Sequence, residues 1–582
     1  MKHFLSLLAV VLAVPAYAQN TPAPAGAFNI AGSGETGNTH AELFPYLHEA
    51  RVSMVRLFPE WAGIQPKQGE WDWTSADALV ESARKNDIQL AGVLAFLTPW
   101  ASSAPNDPDH GARTRTFPIK NIQYWRDFVR ETGARYKNDI TYWEVYNEFN
   151  ATTFARNATP ANYAELVKEA DLELAKVNPQ AKIGIGCADV DLSFLENVIR
   201  SGASGHFDFL AVHPYSLMDA ALAGREAVFL GLGDNLRKLL KKTGQRDDIE
   251  LWVTEVGTTA TNTAASEDRQ AAALVKAYTL CLAQDIRRVF WFEGRGPNYG
   301  QGSFGILRQD WSKRPAFFAL QTMTRLVNAN PHPLGWLDLA PGTYGFVLQG
   351  NPDPVLVIWA STDAGASVQF GGPVTVTALD GTAVQQEAGS PLQLSRSPVF
   401  VTALPPALLA QAQENAGKPF PWIKDYSELD VASVQMGASN VENGLVQIAG
   451  EDGDHNTVVE LVDGVYARRT DKANRNNYIN FDVSDSYASL GDKDLEITIV
   501  ARGADPSKAA GFVMCYESAT GYHEAKGGVT LSPNDGWKEF VFRVNDANLA
   551  NSWGWNFRID ASNSASDVMV KEVRVKRLGP KK

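Results

Sequence analysis

The chain has 582 residues, 45% of them apolar, a length that calls for two or three domains rather than one core. Its 53 Lys and Arg against 66 Asp and Glu leave a net charge of −13, which argues against nucleic acid or an anionic membrane surface as partner. Three cysteines, Cys187, Cys281 and Cys515, form an odd set without metal-ligand spacing, so buried thiols are expected rather than a disulfide framework.

The opening MKHFLSLLAVVLAVPAYAQN joins a basic Lys2, an apolar stretch from Phe4 to Val14 and a small-residue site at Ala16-Tyr17-Ala18. It reads as a signal peptide over residues 1–18, with Gln19 opening a mature chain that is periplasmic or extracellular. The apolar stretch is too short to span a bilayer, and no later run approaches that length.

Residues 19–330 read as one domain. Eight strand-like runs follow in order: AFNIAG, VSMVRLF, QLAGVLAF, ITYWEVYNE, KIGIGC, FDFLAVHPY, IELWVTEVG and RRVFWFEG. Helical patterns lie between most of them. TSADALVESARKN offers Thr74 or Ser75 as N-cap, and PAFFALQTMTRLVN starts on Pro315. Eight βα units in this length predict a (β/α)8 TIM barrel, class α/β. A doubly wound sheet is the alternative, but no Gly-rich phosphate fingerprint follows the first run.

After Asn330 the pattern changes to short strands with turn residues, GTYGFVLQG through SPVFVTAL, predicting a small antiparallel β domain over 331–410 packed on the barrel. Residues 411–425 read as a linker. From 426 to 582 alternating strands such as NYINFDVSD, LEITIVARG and WKEFVFRVN predict a jelly-roll-like β-sandwich. Its Tyr516, Tyr522, Trp537, Trp553 and Trp555 serve either as core or as a sugar-binding surface, and both readings stand.

Functional groups of a TIM barrel gather at the C-terminal strand ends. Those ends carry Arg56, Trp100, Asn147 with Glu148, His213 with Tyr215, Glu255, and Trp291 with Glu293. A carboxylate closing a buried strand costs desolvation energy unless it is paired or used. Glu148 and Glu255 both occupy such positions, and paired carboxylates are what glycosidic cleavage needs. Glu144, four residues before Glu148, is placed deeper in the barrel or in a bridge with Arg56. Glu293 binds substrate or bridges to Arg295, and Glu35 in GSGETG is a weaker substrate contact. No histidine pair has ligand spacing and no Gly-x-Ser-x-Gly elbow occurs, so neither a metal site nor a serine hydrolase is expected.

The Asn147-Glu148 and Thr254-Glu255 pairs, on the fourth and seventh strands, resemble those of clan A retaining glycoside hydrolases. RLFPEW, TPWAS and HPY make residues 28–330 most similar to glycoside hydrolase family 39 and its relatives. The resemblance implies Glu148 as general acid/base, with a pKa raised to hold a proton, and Glu255 as nucleophile kept ionised by Arg56. It places Asn147 on the hydroxyl beside the reacting carbon and Tyr215 on Glu255 or the ring oxygen. His213 would orient its neighbours, and Trp291 would form the floor under the sugar. Trp100 is balanced between sugar contact and barrel packing.

The expectation is an exported retaining hydrolase of β-linked glycans that needs no cofactor. A non-catalytic glycan-binding protein and a transglycosylase are the rivals. The loop 102–118 is long enough to shape the substrate entrance; its Arg113 and Arg115 hint at an acidic sugar, although a solvated loop is the commoner reason for such charges. Sugar, linkage, exo or endo action and oligomeric state are not set by these residues.

Overall fold

The structure, a computed structural model, describes residues 26–104, 114–448, 456–491 and 493–579. The signal-peptide segment and Arg113 lie outside the described residues. Eight strands close a barrel: β1 (Phe28–Ala31), β2 (Met54–Arg56), β3 (Gln89–Leu94), β4 (Tyr142–Val145), β5 (Lys182–Ala188), β6 (Phe209–His213), β7 (Glu250–Val256) and β8 (Arg288–Phe292). Each runs parallel to its neighbours, and β8 returns to β1 with Phe28 opposite Val289 and Ala31 opposite Phe292. The TIM barrel expected from the alternating pattern is therefore the observed fold.

The near-continuous apolar runs follow from burial of both strand faces. Met54, Ala91, Phe209, Ala211, Trp252 and Phe290 fill the inside of the barrel. Phe209 stacks on Trp252 with ring centroids 4.0 Å apart, and Gly184 makes room for that pair, since a Cβ there would meet the Phe209 ring at 2.0 Å. The opposite strand faces pack against the helices in a second, larger core. Helix Thr74–Lys85 buries Ala76, Leu79, Val80 and Ala83 on one stripe. Its first free N–H is taken by Asp72, 3.0 Å from the Thr74 nitrogen, so neither Thr74 nor Ser75 is the cap. Helix Pro160–Val177 begins on a reciprocal Thr159–Asn162 capping box.

A six-stranded antiparallel sheet follows, in the order Ala383–Gln386, Val374–Thr377, Val399–Thr402, Val355–Ala360, Thr343–Leu348 and Pro333–Leu337. Alternation divides its strands between two cores. Leu356 and Ile358 join the sheet's own core, whereas Val355, Val357 and Trp359 join that of the barrel. Trp359 also donates its indole N–H to buried Glu226, which pairs with Lys276 at 2.6 Å.

The stretch 411–425, expected as a linker, is packed structure. A helix, Pro406–Asn415, opens on Pro at its first turn and lies along strand Pro333–Leu337. Ala412 is fully buried against Gly335, where a Cβ would come within 1.8 Å of the Ala412 carbonyl oxygen. Trp422 then covers Tyr344 and Phe346, at ring distances of 4.8 and 5.3 Å. These apolar side chains hold the connection down.

Beyond it the chain is antiparallel β-structure. Strands pair in one path that includes Val431–Gln435, Val568–Arg577, Lys493–Gly503, Lys538–Ala547, Ala510–Ser518, Phe557–Asp560 and Tyr478–Val483. Strands from both ends of that path contribute to a single core, among them Val434, Val573, Ile497, Met514, Phe557 and Phe481. The pairing therefore folds over its own apolar face. Among the described residues no helix is long and apolar enough to cross a membrane.

Candidate active site

The C-terminal ends of β2, β4, β6 and β7 bring one polar cluster together. Arg56, the last residue of β2, is 3% exposed. Its Nε and Nη2 donate to the two oxygens of Glu144 at 2.7 and 3.0 Å, a bidentate fork from within the barrel. Nη1 donates to Glu255 Oε1 at 2.8 Å, and Nη2 also reaches Asn147 Oδ1 at 2.8 Å. Burial works against the guanidinium charge, but Glu144 and Glu255 outweigh it and raise the Arg56 pKa. Glu144 is thus the buried bridge to Arg56, one of its two expected placements.

Glu255 lies inside β7, so the strand itself aims it. Its second oxygen accepts the Tyr215 hydroxyl at 3.0 Å. Burial, then the Glu255 charge, push the Tyr215 pKa up, so the phenol stays a donor. Tyr215 follows β6 and opens helix Tyr215–Leu222.

Glu148 is positioned differently. β4 ends at Val145, and Tyr146 and Glu148 take φ values of 64° and 49°. Non-glycine residues seldom adopt that region, and each costs on the order of 1–3 kcal/mol. The turn ends the strand alternation before Glu148 is reached. Glu144 stays under Arg56 and Glu148 Oε1 meets His213 Nδ1 at 2.8 Å.

His213, the last residue of β6, is 1% exposed. Its Nε2 lies 3.0 Å from Thr254 Oγ1, which in turn reaches toward Glu144 at 3.5 Å. Burial disfavours the imidazolium, but the Glu255 and Glu148 carboxylates outweigh this and raise the His213 pKa. Conversely, burial alone raises Glu148, and the imidazole and Arg56 bring it below the usual carboxylate value. The two groups are coupled, each favouring the charged form of the other. The isolated high-pKa acid expected at Glu148 is replaced by a coupled Glu148–His213 unit, because a buried imidazole faces the carboxylate.

One oxygen of Glu148, one of Glu255 and a ring nitrogen of His213 lie within 4.8 Å of one another. Three such atoms form the donor set of a small cation site. Here hydrogen bonds from Arg56, Tyr215 and His213 already engage them, which accounts for the clustering.

The remaining expected residues do not all arrive. Trp291 is fully buried in the layer between strands and helices, and its indole N–H donates to Phe304 O at 3.2 Å. It is not the floor under a sugar. Strand alternation turns its neighbour Phe292 inward instead, in contact with the inner barrel core. Phe292 meets Phe304 at 5.4 Å, and Phe304 meets the Tyr215 ring at 5.9 Å. Period-two alternation along RRVFWFEG carried this signal. Glu293 is fully buried beneath the following loop, where a Cβ on Gly296 would come within 1.8 Å of its carboxylate. Arg295 stacks over Trp311 at 4.4 Å. Trp100 donates to Gln65 O at 2.9 Å and packs edge-on against Trp61 and Tyr124, the packing alternative. Arg115 pairs with Glu60 at 3.1 Å and lies over Phe96, which accounts for its charge without an acidic sugar. Thr254, Phe292 and Phe304 are residues at the site to which the sequence reading assigned no role.

In the C-terminal β-structure, Tyr516 is core and Trp537 is covered by Arg502 and Lys571 at 5.7 and 5.3 Å. Tyr522 and Trp555 pack on each other at 3.9 Å, whereas Trp553 is 42% exposed.

Comparison with known proteins places this cluster in context. The chain is 28% identical over 124 residues to "Endo-1,4-beta-xylanase A" of Halalkalibacterium halodurans, covering 19% of this chain and 29% of that protein. It is 24% identical over 154 residues to "Beta-1,4-xylanase" of Dictyoglomus thermophilum, covering 25% of this chain and 42% of that one. It spans less than half the length of the curated relatives it matches. Among solved structures, a family 39 glycoside hydrolase from Bacteroides cellulosilyticus WH2 superposes with a TM-score of 0.53 at 20% identity, over 64% of this chain and 80% of that one. The shared feature there is the fold. Residues 59–165, which run from just after β2 past Asn147-Glu148, match the family model described as "Glycosyl hydrolase family 10".

Proposed function

We propose that the chain is a retaining glycoside hydrolase acting on β-linked xylan-type glycans by double displacement, with Glu255 as nucleophile and Glu148 as general acid/base. The observation that carries this is the convergence of the two carboxylates, whose nearest oxygens lie within 4.8 Å. Retaining enzymes hold their carboxyl groups about 5–5.5 Å apart, whereas inverting ones leave about 6.5–9.5 Å for a water between them. The family 10 match and the xylanase names of the relatives support the substrate class. The opening segment supports export through a signal peptide over 1–18.

In the first step a Glu255 oxygen bonds to the anomeric carbon as the glycosidic C–O bond breaks, and the departing oxygen takes a proton from Glu148. Arg56 and Tyr215 hold Glu255 in place, one hydrogen bond to each oxygen. Arg56 also engages Asn147 through its carbonyl oxygen, which leaves the amide N–H groups as donors for a sugar hydroxyl. A sugar bound against Glu148 shields it from solvent, which favours the neutral, proton-donating form of a carboxyl already in contact with His213. In the second step Glu148 takes a proton from water, whose oxygen bonds to the anomeric carbon and releases Glu255.

Retention is tested by proton NMR of the first sugar released from a β-1,4-xylooligosaccharide. The expected initial signal is the β-anomer. An α-anomer appearing first would rule out double displacement. A panel of xylan, cellulose and mannan oligosaccharides, read by mass spectrometry, tests the substrate class, and longer products would reveal transglycosylation.

The pair also sets the pH profile. With His213 raised above its ordinary value, the pair keeps its proton beyond that value and loses activity only as pH climbs through the raised pKa. His213→Ala leaves the proton on Glu148 alone, so the alkaline limb of kcat/KM is expected to move to lower pH. An alkaline limb at the same pH in both proteins would remove His213 from the proton account.

A further inference from the structure

The loop of residues 548–556 carries the C-terminal β-structure onto the barrel near the ends of β5 and β6. The loop is bolted to the barrel at several points. Asn548 Nδ2 donates to Ser193 Oγ at 2.6 Å, and Ser552 Oγ donates to Asp191 Oδ1 at 3.2 Å. Ala550 is buried within the barrel's own outer core. Gly554 lies directly on Ser216, where a Cβ would come within 2.6 Å of the Ser216 Cβ. At φ 78° and in that contact, only glycine fits. Ser216 follows Tyr215, whose hydroxyl bonds Glu255.

The loop is also held from below. The buried Glu517 carboxylate accepts the backbone N–H groups of Ala550, Asn551 and Ser552 at 2.7, 2.8 and 3.0 Å, and Asn556 Nδ2 at 3.2 Å. Tyr522 donates to the Trp555 carbonyl at 2.8 Å and accepts the Trp553 N–H at 3.3 Å. A loop tied this tightly nonetheless leaves one indole, Trp553, 42% exposed. Burying a tryptophan is a large gain that this arrangement forgoes.

We propose that Trp553 is a sugar-stacking platform of the catalytic cleft, donated by the C-terminal β-structure, that binds the glycan chain beyond the sugars flanking the cleaved bond. An indole face matches the apolar C–H face of a pyranose. Its next residue, Gly554, touches Ser216, which follows Tyr215 past the end of β6, and Ser552 bonds Asp191 past the end of β5, so the platform stands at the β5–β6 side of the barrel. The C-terminal β-structure is then part of the substrate site rather than a separate appendage. This rests on the reading of the barrel as a glycan hydrolase.

The test compares the full chain with Trp553→Ala and Trp553→Tyr on an aryl β-xyloside and on β-1,4-xylooligosaccharides of two to six sugars. A short substrate does not reach the platform, so kcat/KM for the aryl xyloside is expected to stay within about twofold. For the longest oligomers Trp553→Ala is expected to lose about 10–100-fold, as KM rather than kcat, with Trp553→Tyr largely restoring it. Isothermal titration of xylohexaose into Glu255→Gln, with and without Trp553→Ala, is expected to show the same weakening without turnover. A length-independent loss, or none, overturns the platform. Absence of hydrolysis of every glycan by the unaltered chain overturns the functional reading beneath it, and the two failures are thereby separable.

Discussion

Glu255→Gln is expected to lower kcat on xylooligosaccharides by on the order of 10⁵-fold, the scale of losing a nucleophile outright. The fold should survive the change, because the side chain's partners keep a neutral way to bond. The amide oxygen still accepts Arg56 Nη1, and the amide nitrogen faces the Tyr215 hydroxyl, which turns from donor to acceptor. Arg56 retains its fork on Glu144 and its bond to Asn147, so no unpaired buried charge is created. Thermal unfolding should therefore stay within a few degrees of the unaltered chain. Kinetics above a tenth of the original rate, with the protein folded, would dismiss Glu255 as nucleophile.

Glu148→Ala is expected to separate the two chemical steps. On glycans with a sugar leaving group, which must be protonated, kcat/KM should fall by about 10²–10⁴-fold, the scale of general acid catalysis. A nitrophenyl xyloside carries a leaving group that departs without a proton, so its first step should be nearly untouched while release of the glycosyl-enzyme slows. Added azide needs no general base, and the removed side chain leaves it room. It should restore turnover on the nitrophenyl substrate and yield a β-glycosyl azide, since it attacks from the face that the leaving group vacated. Equal losses on both substrates, with no azide product, would show that Glu148 is not the proton donor. His213 stays anchored through Thr254 in this variant, which keeps the β6 end in place.

These two variants test a cluster whose parts were unequally legible in the chain. The eight-stranded barrel was written locally. Strands buried on both faces need unbroken apolar runs, and helices with one buried stripe need three-to-four spacing. The two glutamates stood out by the same logic, since a carboxylate at the end of such a run has no packing reason to be there. Arg56 was legible as their neighbour, because a strand-end cation on β2 has to face the strand ends beside it.

Other features depended on distances that no local pattern encodes. Strand alternation predicts which side chains share a face only while the strand lasts. At β4 the backbone turns at Tyr146 and Glu148, so Glu148 leaves the register and finds His213. β8 is the contrasting case, where the strand persists through Phe292 and its own alternation sends Trp291 outward to the helices and Phe292 inward. The stretch 411–425 lacks a strand pattern, yet its helix and Trp422 find apolar cover on a sheet that only the folded chain presents.

The sequence by itself determined the barrel, the β-rich remainder and the pairing of Glu148 with Glu255 at one end, because burial on two faces and the cost of a lone carboxylate act residue by residue. Only the tertiary structure decided that Glu148 faces a buried imidazole and that the 548–556 loop seats on the barrel. The Glu148–His213 contact and the seating of Gly554 on Ser216 both join segments far apart in the chain, and their energies depend on separations of a few ångströms that folding alone sets.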